Sequence, residues 1–217
     1  MTEQIIKTAK KVINTEIKGL ETLSKKLDKN FAKAVNILKK TNGKIVVTGV
    51  GKSGIIAKKI ASTLSSTGSP SQFIHSTEAS HGDLGTINKK DSIIAFTFSG
   101  KTNELNDMFF YAKKNNIPLI VITKASNSNI KNVSNVCIEL TNLKEACHLN
   151  LAPTTSTTAM LALGDAIAIV LMKEKKFTKK NFYSLHPGGE LGKKLLLVKN
   201  IMHTGNKLPL VEEKVLM

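Results

Sequence analysis

The run Gly49-Val50-Gly51-Lys52-Ser53-Gly54 sets three glycines, a lysine and a serine between a short β-branched segment and a helical pattern. Glycines at such a junction let backbone N–H groups and a helix N-terminus face an anion. Gly49, Gly51 and Gly54 also fit the spacing of a dinucleotide fingerprint, which calls for an acidic residue about 20 positions on. Here His75 ends the second strand, and Glu78 falls slightly beyond. A nucleotide P-loop would need a glycine where the chain has Val46. The loop therefore reads as an anion cradle that does not clearly specify a nucleotide. The bland alternative is a tight turn with no ligand, which Lys52 at its centre makes less attractive.

Two further loops carry suitable groups. Thr97-Phe98-Ser99-Gly100-Lys101-Thr102-Asn103-Glu104 brings hydroxyls to the point where a helix begins. They could cap that helix, donate to phosphate oxygens, or do both. Glu104 in the first helical turn would at least complement the helix dipole. A later loop runs from Lys144-Glu145-Ala146-Cys147-His148 to the hydroxyl run Thr154-Thr155-Ser156-Thr157-Thr158. Capping accounts for one such hydroxyl, and five are more than capping needs.

These loops require elements to hold them. Residues 3–28 place Ile6, Ala9, Ile13, Ile17, Leu20, Leu23 and Leu27 at helical spacing, with lysines opposite. Asn30 is the expected N-cap of a second helix over 31–40, which Asn42-Gly43 ends. Apolar runs at 44–48, 72–74, 92–97, 119–122 and 136–140 read as strands. Helices are expected over 55–67, 102–116 and 154–173, with a short helical turn after 127–129. Strands apolar on both faces and alternating with helices indicate a five-stranded, mostly parallel sheet in an α/β three-layer sandwich. In such folds the ligand lies beyond the carboxyl ends of the strands. That gathers the loops after Thr48, Ile74, Phe98, Ile122 and Leu140.

Bulk properties narrow the class. The 217 residues, 41% hydrophobic, suffice for one globular α/β domain with a core. The formal net charge is +16, and all 32 basic residues are lysine. A basic chain raises nucleic-acid binding, but the lack of arginine, the commoner base reader, lowers it. Scattered lysines fit a solvated surface that could steer an anionic substrate. Two cysteines, Cys137 and Cys147, form no disulfide framework and suggest a reducing compartment. The N-terminus lacks a secretory h-region. The apolar stretch 159–172, broken by Gly164-Asp165, reads as a buried helix and not a membrane span. The expectation is a cytoplasmic protein without nucleic-acid or membrane partners.

Gly-Lys-Ser-Gly at 51–54, Ser-Gly-x-Thr-x-Glu at 99–104 and Ala-Pro-Thr-x-Ser-Thr at 152–157 together resemble the sugar isomerase (SIS) domain, a flavodoxin- or Rossmann-like fold. Glu78-Ala79-x-His81-Gly82-Asp83-Leu84-Gly85, Lys144-Glu145-Ala146-Cys147 and Ser184-Leu185-His186-Pro187-Gly188-Gly189 resemble its D-arabinose 5-phosphate isomerase branch. The resemblance implies interconversion of D-ribulose 5-phosphate and D-arabinose 5-phosphate through an enediolate, supplying Kdo and lipopolysaccharide synthesis. It implies Lys52, Glu104, Glu145 and His186 as catalytic residues. Substrate contacts are implied at Gly51, Ser53, Gly68, Ser69, His81, Ser99, Thr102, Thr154, Ser156 and Thr157. Glu104 or Glu145 would be the base, with a pKa that partial desolvation could raise toward neutrality. Lys52 would neutralise charge on the phosphate or the enediolate. His186 would assist ring opening or the second proton transfer, against the plainer reading of a loop histidine held by Pro187-Gly188-Gly189. No cofactor is required, although His75 could touch an inhibitory or adventitious zinc ion. The family implies a homo-oligomer, tetramer or dimer, with His81 able to reach a neighbouring subunit's site.

The implied organisation is N-terminal helices over 1–40, the isomerase domain over 41–197, and the opening of a CBS module over 198–217. Val198-Lys199-Asn200-Ile201-Met202-His203-Thr204 carries that last resemblance. Three alternatives stay open: an isomerase for another sugar phosphate, a non-catalytic phosphosugar sensor, and a nucleotide-binding Rossmann enzyme.

Overall fold

The structure is a computed structural model describing residues 1–100, 102–124, 128–140, 143–187, 198, 202–208 and 210. It comprises two compact units, Met1–Phe177 and Thr178–Met217.

In the first unit, five parallel strands form one sheet in the order β2-β1-β3-β4-β5. They are β1 (Ile45–Gly49), β2 (Ser71–Phe73), β3 (Ser92–Phe96), β4 (Leu119–Thr123) and β5 (Val136–Glu139). Parallel strands need crossovers, and the helices supply them. These are α3 (Gly51–Ser66), α4 (Ser76–Ser80), α5 (Asn106–Lys114) and α6 (Ser128–Val133), preceded by α1 (Thr2–Lys26) and α2 (Lys29–Lys39) and followed by α7 (Thr155–Glu174). Alternate strand residues face opposite layers. Val47, Ile94, Phe96 and Ile122 pack with α2, α3 and α7. Val46, Ile93, Ala95 and Val121 pack against the opposite layer, with Ala79 of α4, Met108 of α5 and Ile130 of α6. Strand order reverses between β1 and β3, so the crevice for a ligand opens beyond Gly49 and Phe96, which are paired neighbours.

Several local expectations change. Asp28, not Asn30, caps α2: its Oδ1 accepts from the Asn30 amide at 2.8 Å. A carboxylate there also complements the positive end of the helix. Helix α3 starts at Gly51, four residues earlier than expected, so Lys52 and Ser53 belong to its first turn. The hydrophobic stripe of α1 is only half used. Gly19 is buried against Thr155, whereas Ile13 and Ile17 remain 59% and 46% exposed.

Helix α7 is long and apolar enough to cross a membrane by length and composition, but half of it is buried among the other helices. Its direction matters for the site. Gly164 meets Ile60 of α3, Lys175 lies 3.0 Å from Ser69, and Phe177 covers Gly68. Later residues on one side meet later residues on the other, so α3 and α7 run the same way. Ile60 lies nine residues after Gly51 and Gly164 nine after Thr155. The two N-termini therefore reach the same end of the molecule, the carboxyl end of the strands.

In the second unit, α8 (Lys179–Leu185) starts at a capping box of Thr178 with Asn181. Of the expected CBS opening, residues 198, 202–208 and 210 are described, with a 3₁₀ turn over Gly205–Lys207, and the rest lies outside the described residues.

Candidate functional site

The β1–α3 junction is built on contact between backbones. A Cβ on Gly54 would lie 2.7 Å from the Gly49 carbonyl oxygen, and one on Gly49 would lie 3.0 Å from that of Phe96. Gly51 has φ +56°, which a larger residue would adopt at a cost. Two of the three glycines thus serve strand–helix packing and the third the turn. Val50 occupies the N-cap of α3 without a side-chain bond. The positive end of α3 consequently has no capping side chain, and Lys52 is exposed beside it.

The β3 loop is tied to itself. Thr97 and Thr102 share a 2.9 Å hydroxyl hydrogen bond, and the Gly100 amide donates to Thr97 Oγ1 at 3.3 Å. Thr102 makes no side-chain cap, so capping does not explain it. Ser99 is exposed at the loop tip, and Glu104 sits exposed on a short 3₁₀ turn ahead of α5. A cavity of about 700 Å³ opens here, lined by Thr97, Gly100, Thr102, Asn103, Phe110 and Lys113 among others.

Glu145 lies in the loop after β5 and is only 7% exposed. Its Oε2 accepts from the Thr154 amide at 2.8 Å, the Thr154 hydroxyl at 3.0 Å and the Ser156 amide at 3.3 Å. A carboxylate thus caps α7, in place of the hydroxyl run that capping was expected to engage; Thr154 makes no side-chain cap. The other oxygen, Oε1, is buried without a hydrogen-bond partner, as is the Ser156 hydroxyl. Burial alone would raise the Glu145 pKa. The nearby Ser156 hydroxyl dipole, the Thr154 and Ser156 amides and the Thr154 hydroxyl outweigh it and hold the pKa below the ordinary carboxylate value, against the expectation of a rise. Glu145 also lines a cavity of about 570 Å³ beneath α1, with Lys7, Lys11, Lys144, Cys147 and His148.

The remaining expected residues divide. Ser53 stands in the first turn of α3, and Ser156 in that of α7. The Thr157 hydroxyl donates to the Thr154 carbonyl at 2.8 Å, which commits its proton. His81 is exposed just after α4, at the same end. Gly68 and Ser69 are not brought to this end. They form the turn that enters β2 at the amino end of the sheet, where Ser69 is fully buried and bonded to Lys175. Within one copy of the chain, these two residues serve the turn into β2. His75 Nδ1 accepts from the Thr77 amide at 3.3 Å and caps α4. Among the described residues, no three His, Cys, Asp or Glu side chains are grouped to hold a metal ion.

In the second unit, His186 ends α8. Its ring stacks on Phe182, and Nδ1 lies 2.9 Å from the Phe182 carbonyl. A carbonyl only accepts, so Nδ1 is the donor, and in the neutral ring Nε2 is the nitrogen with the lone pair. Phe182, and not the glycines after Pro187, is what orients this ring. Gly188 and Gly189 lie outside the described residues.

Residues 37–170, well over half of the chain, match the SIS domain. The chain belongs to the SIS domain family. It is 47% identical over 211 residues to the arabinose 5-phosphate isomerase KdsD of Francisella tularensis, covering 95% of this chain and 64% of that one. It is 44% identical over 205 residues to the protein of that name from Escherichia coli K12, covering 94% and 62%. The chain thus spans somewhat less than two thirds of these relatives. Among solved structures, it resembles an E. coli CFT073 protein in complex with arabinose 5-phosphate, with TM-score 0.83 and 39% identity. That match covers 86% of this chain and all of the other. The SIS fold agrees with the observed five-stranded parallel sheet.

Proposed function

We propose that this SIS domain is an aldose–ketose isomerase interconverting D-arabinose 5-phosphate and D-ribulose 5-phosphate. The observation that carries the reading is a polarity across the carboxyl end of the sheet. The N-terminus of α3 has no capping side chain and bears Lys52, whereas that of α7 is already neutralised by Glu145. A sugar phosphate matches that polarity. Its dianion suits α3, Lys52, Ser53 and the hydroxyls at Ser99 and Thr102. Its hydroxyl-bearing end suits the unpartnered Glu145 Oε1 and Ser156 hydroxyl.

Moving a hydrogen between C1 and C2 needs a base and a stabilised enediolate, but no redox cofactor. Glu104, exposed and not held by α7, is the proton shuttle. Glu145, held ionised by its donors, is the fixed acceptor that orients a substrate hydroxyl. His186 is carried by the family resemblance alone, for ring opening or the second proton transfer. The names of the relatives support the substrate, and the exposed Ile6, Ile13 and Ile17 of α1 support a homo-oligomer, dimer or tetramer. A cytoplasmic location and supply of Kdo synthesis complete the proposal.

The test is formation of ribulose 5-phosphate from arabinose 5-phosphate in the presence of chelator, with glucose 6-phosphate as a control. Glu104→Gln is expected to lower kcat by about 10²–10⁴-fold with little change in KM. Glu145→Gln is expected to raise KM as well. An active Glu104→Gln protein would remove Glu104 from the shuttle role, and sugar-phosphate binding without turnover would favour a sensor.

A further inference from the structure

The Thr154 side chain has both its hydrogen-bonding functions in use. Its Oγ1 accepts from the Ala146 amide at 2.8 Å and donates to Glu145 Oε2 at 3.0 Å. One hydroxyl carries one proton, so Thr154 has none left for a ligand. The surrounding bonds lock the same loop. The Thr154 amide also reaches Oε2, at 2.8 Å, and the Asn150 side-chain oxygen accepts from the Glu145 amide at 3.2 Å. With three donors on Oε2, the carboxylate has one rotational setting, and Oε1 is the oxygen that remains unpartnered.

We propose that Thr154 is a positioning residue, which passes a hydrogen bond from the Ala146 amide to Glu145 Oε2 and thereby reserves Oε1 for the sugar. This rests on the sugar-phosphate reading above, and it departs from the expectation that Thr154 binds substrate directly. The role needs a hydroxyl at 154 and not a methyl. It also needs residues 146 and 154, eight apart, to be held together by the loop between them. Other charged or titratable groups facing Glu145 are Lys7 and Lys11 of α1 and Lys144, Cys147 and His148 of its own loop. Glu16 of α1 stands one turn along α7, bonded to Thr158. These remain in every variant below, so a change in titration reports the Thr154 hydroxyl.

The experiment compares the wild-type chain with Thr154→Val, which keeps the shape, and Thr154→Ser, which keeps the hydroxyl. The Glu145 carboxyl is followed by ¹³C NMR titration, and kcat and KM are measured across pH. In Thr154→Val the Glu145 midpoint should rise by about one pH unit, equivalent to tenfold in its ionisation. kcat/KM should fall about tenfold, and the loss should persist at neutral pH, where Glu145 is ionised in both proteins, because the carboxylate has lost one of the bonds that orients it. Thr154→Ser should restore both. A Thr154→Val protein with an unmoved midpoint overturns the proposal, and a rise in KM alone would assign Thr154 to substrate. If the wild type turns over no sugar phosphate, the isomerase reading fails, and the NMR midpoint still decides the role of Thr154.

Discussion

A carboxylate withdrawn from water needs donors in its place. Glu145 has three on one oxygen and none on the other. Its folded pKa is depressed, so its contribution to stability is fully present above the unfolded value and is lost as pH falls through the folded one. Glu145→Gln should therefore cost about 1–2 kcal/mol at pH 7, and the difference from wild type should shrink towards pH 3. Urea unfolding at the two pH values measures this. A cost independent of pH would show that shape, and not charge, is what the site requires. This arrangement was not legible beforehand. Glu145 was identified through its motif, but its partners lie nine and eleven residues downstream, and only the folded loop brings them back. Desolvation alone pointed the pKa the wrong way because those donors were not yet known.

The elements were more open to reading than the contacts between them. Continuous apolar runs gave β1, β3 and β4, whose residues are all buried because both faces of a parallel sheet are covered, whereas the edge strands β2 and β5 are partly exposed and left a weaker signal. Boundaries moved where two residues could serve one role, as with Asp28 and Asn30 at the start of α2. The glycines of the first loop suggested a longer loop than exists, since close packing demands them as much as ligand approach does. Gly54→Ala tests that at the scale of the β1–α3 unit. The added methyl meets the Gly49 backbone, which cannot rotate away, so destabilisation of about 1–3 kcal/mol is expected. At this chain length that corresponds to a fall in Tm of about 2–12 °C. An unchanged Tm would mean that α3 slides freely on β1.

At the scale of the molecule, the parallel course of α3 and α7 gives the site its frame. Helix α1 faces the Glu145 loop and α7 with one side and exposes Ile6, Ile13 and Ile17 along another. Isolated apolar residues on a surface are common, but a row of them on one helix suits a second copy of the chain. Ile13→Glu with Ile17→Glu should lower the mass of the assembly measured by light scattering while leaving the fold intact by circular dichroism. An unaltered mass would place any interface elsewhere. The net charge of +16 gave the chain's attraction for anions, but not where one binds. The proposed position rests on the uncapped start of α3 together with Lys52 beside it.

The contact between Gly49 and Gly54 also bears on how such a protein can diverge. Neither position admits even one extra carbon without striking main chain, so the start of α3 has no neighbouring sequence that shifts it slightly. Changes of ligand preference are thereby channelled to side chains that project from the junction, Lys52 and Ser53, and to the separate loops that face it. The backbone junction stays fixed while the side chains it presents can vary.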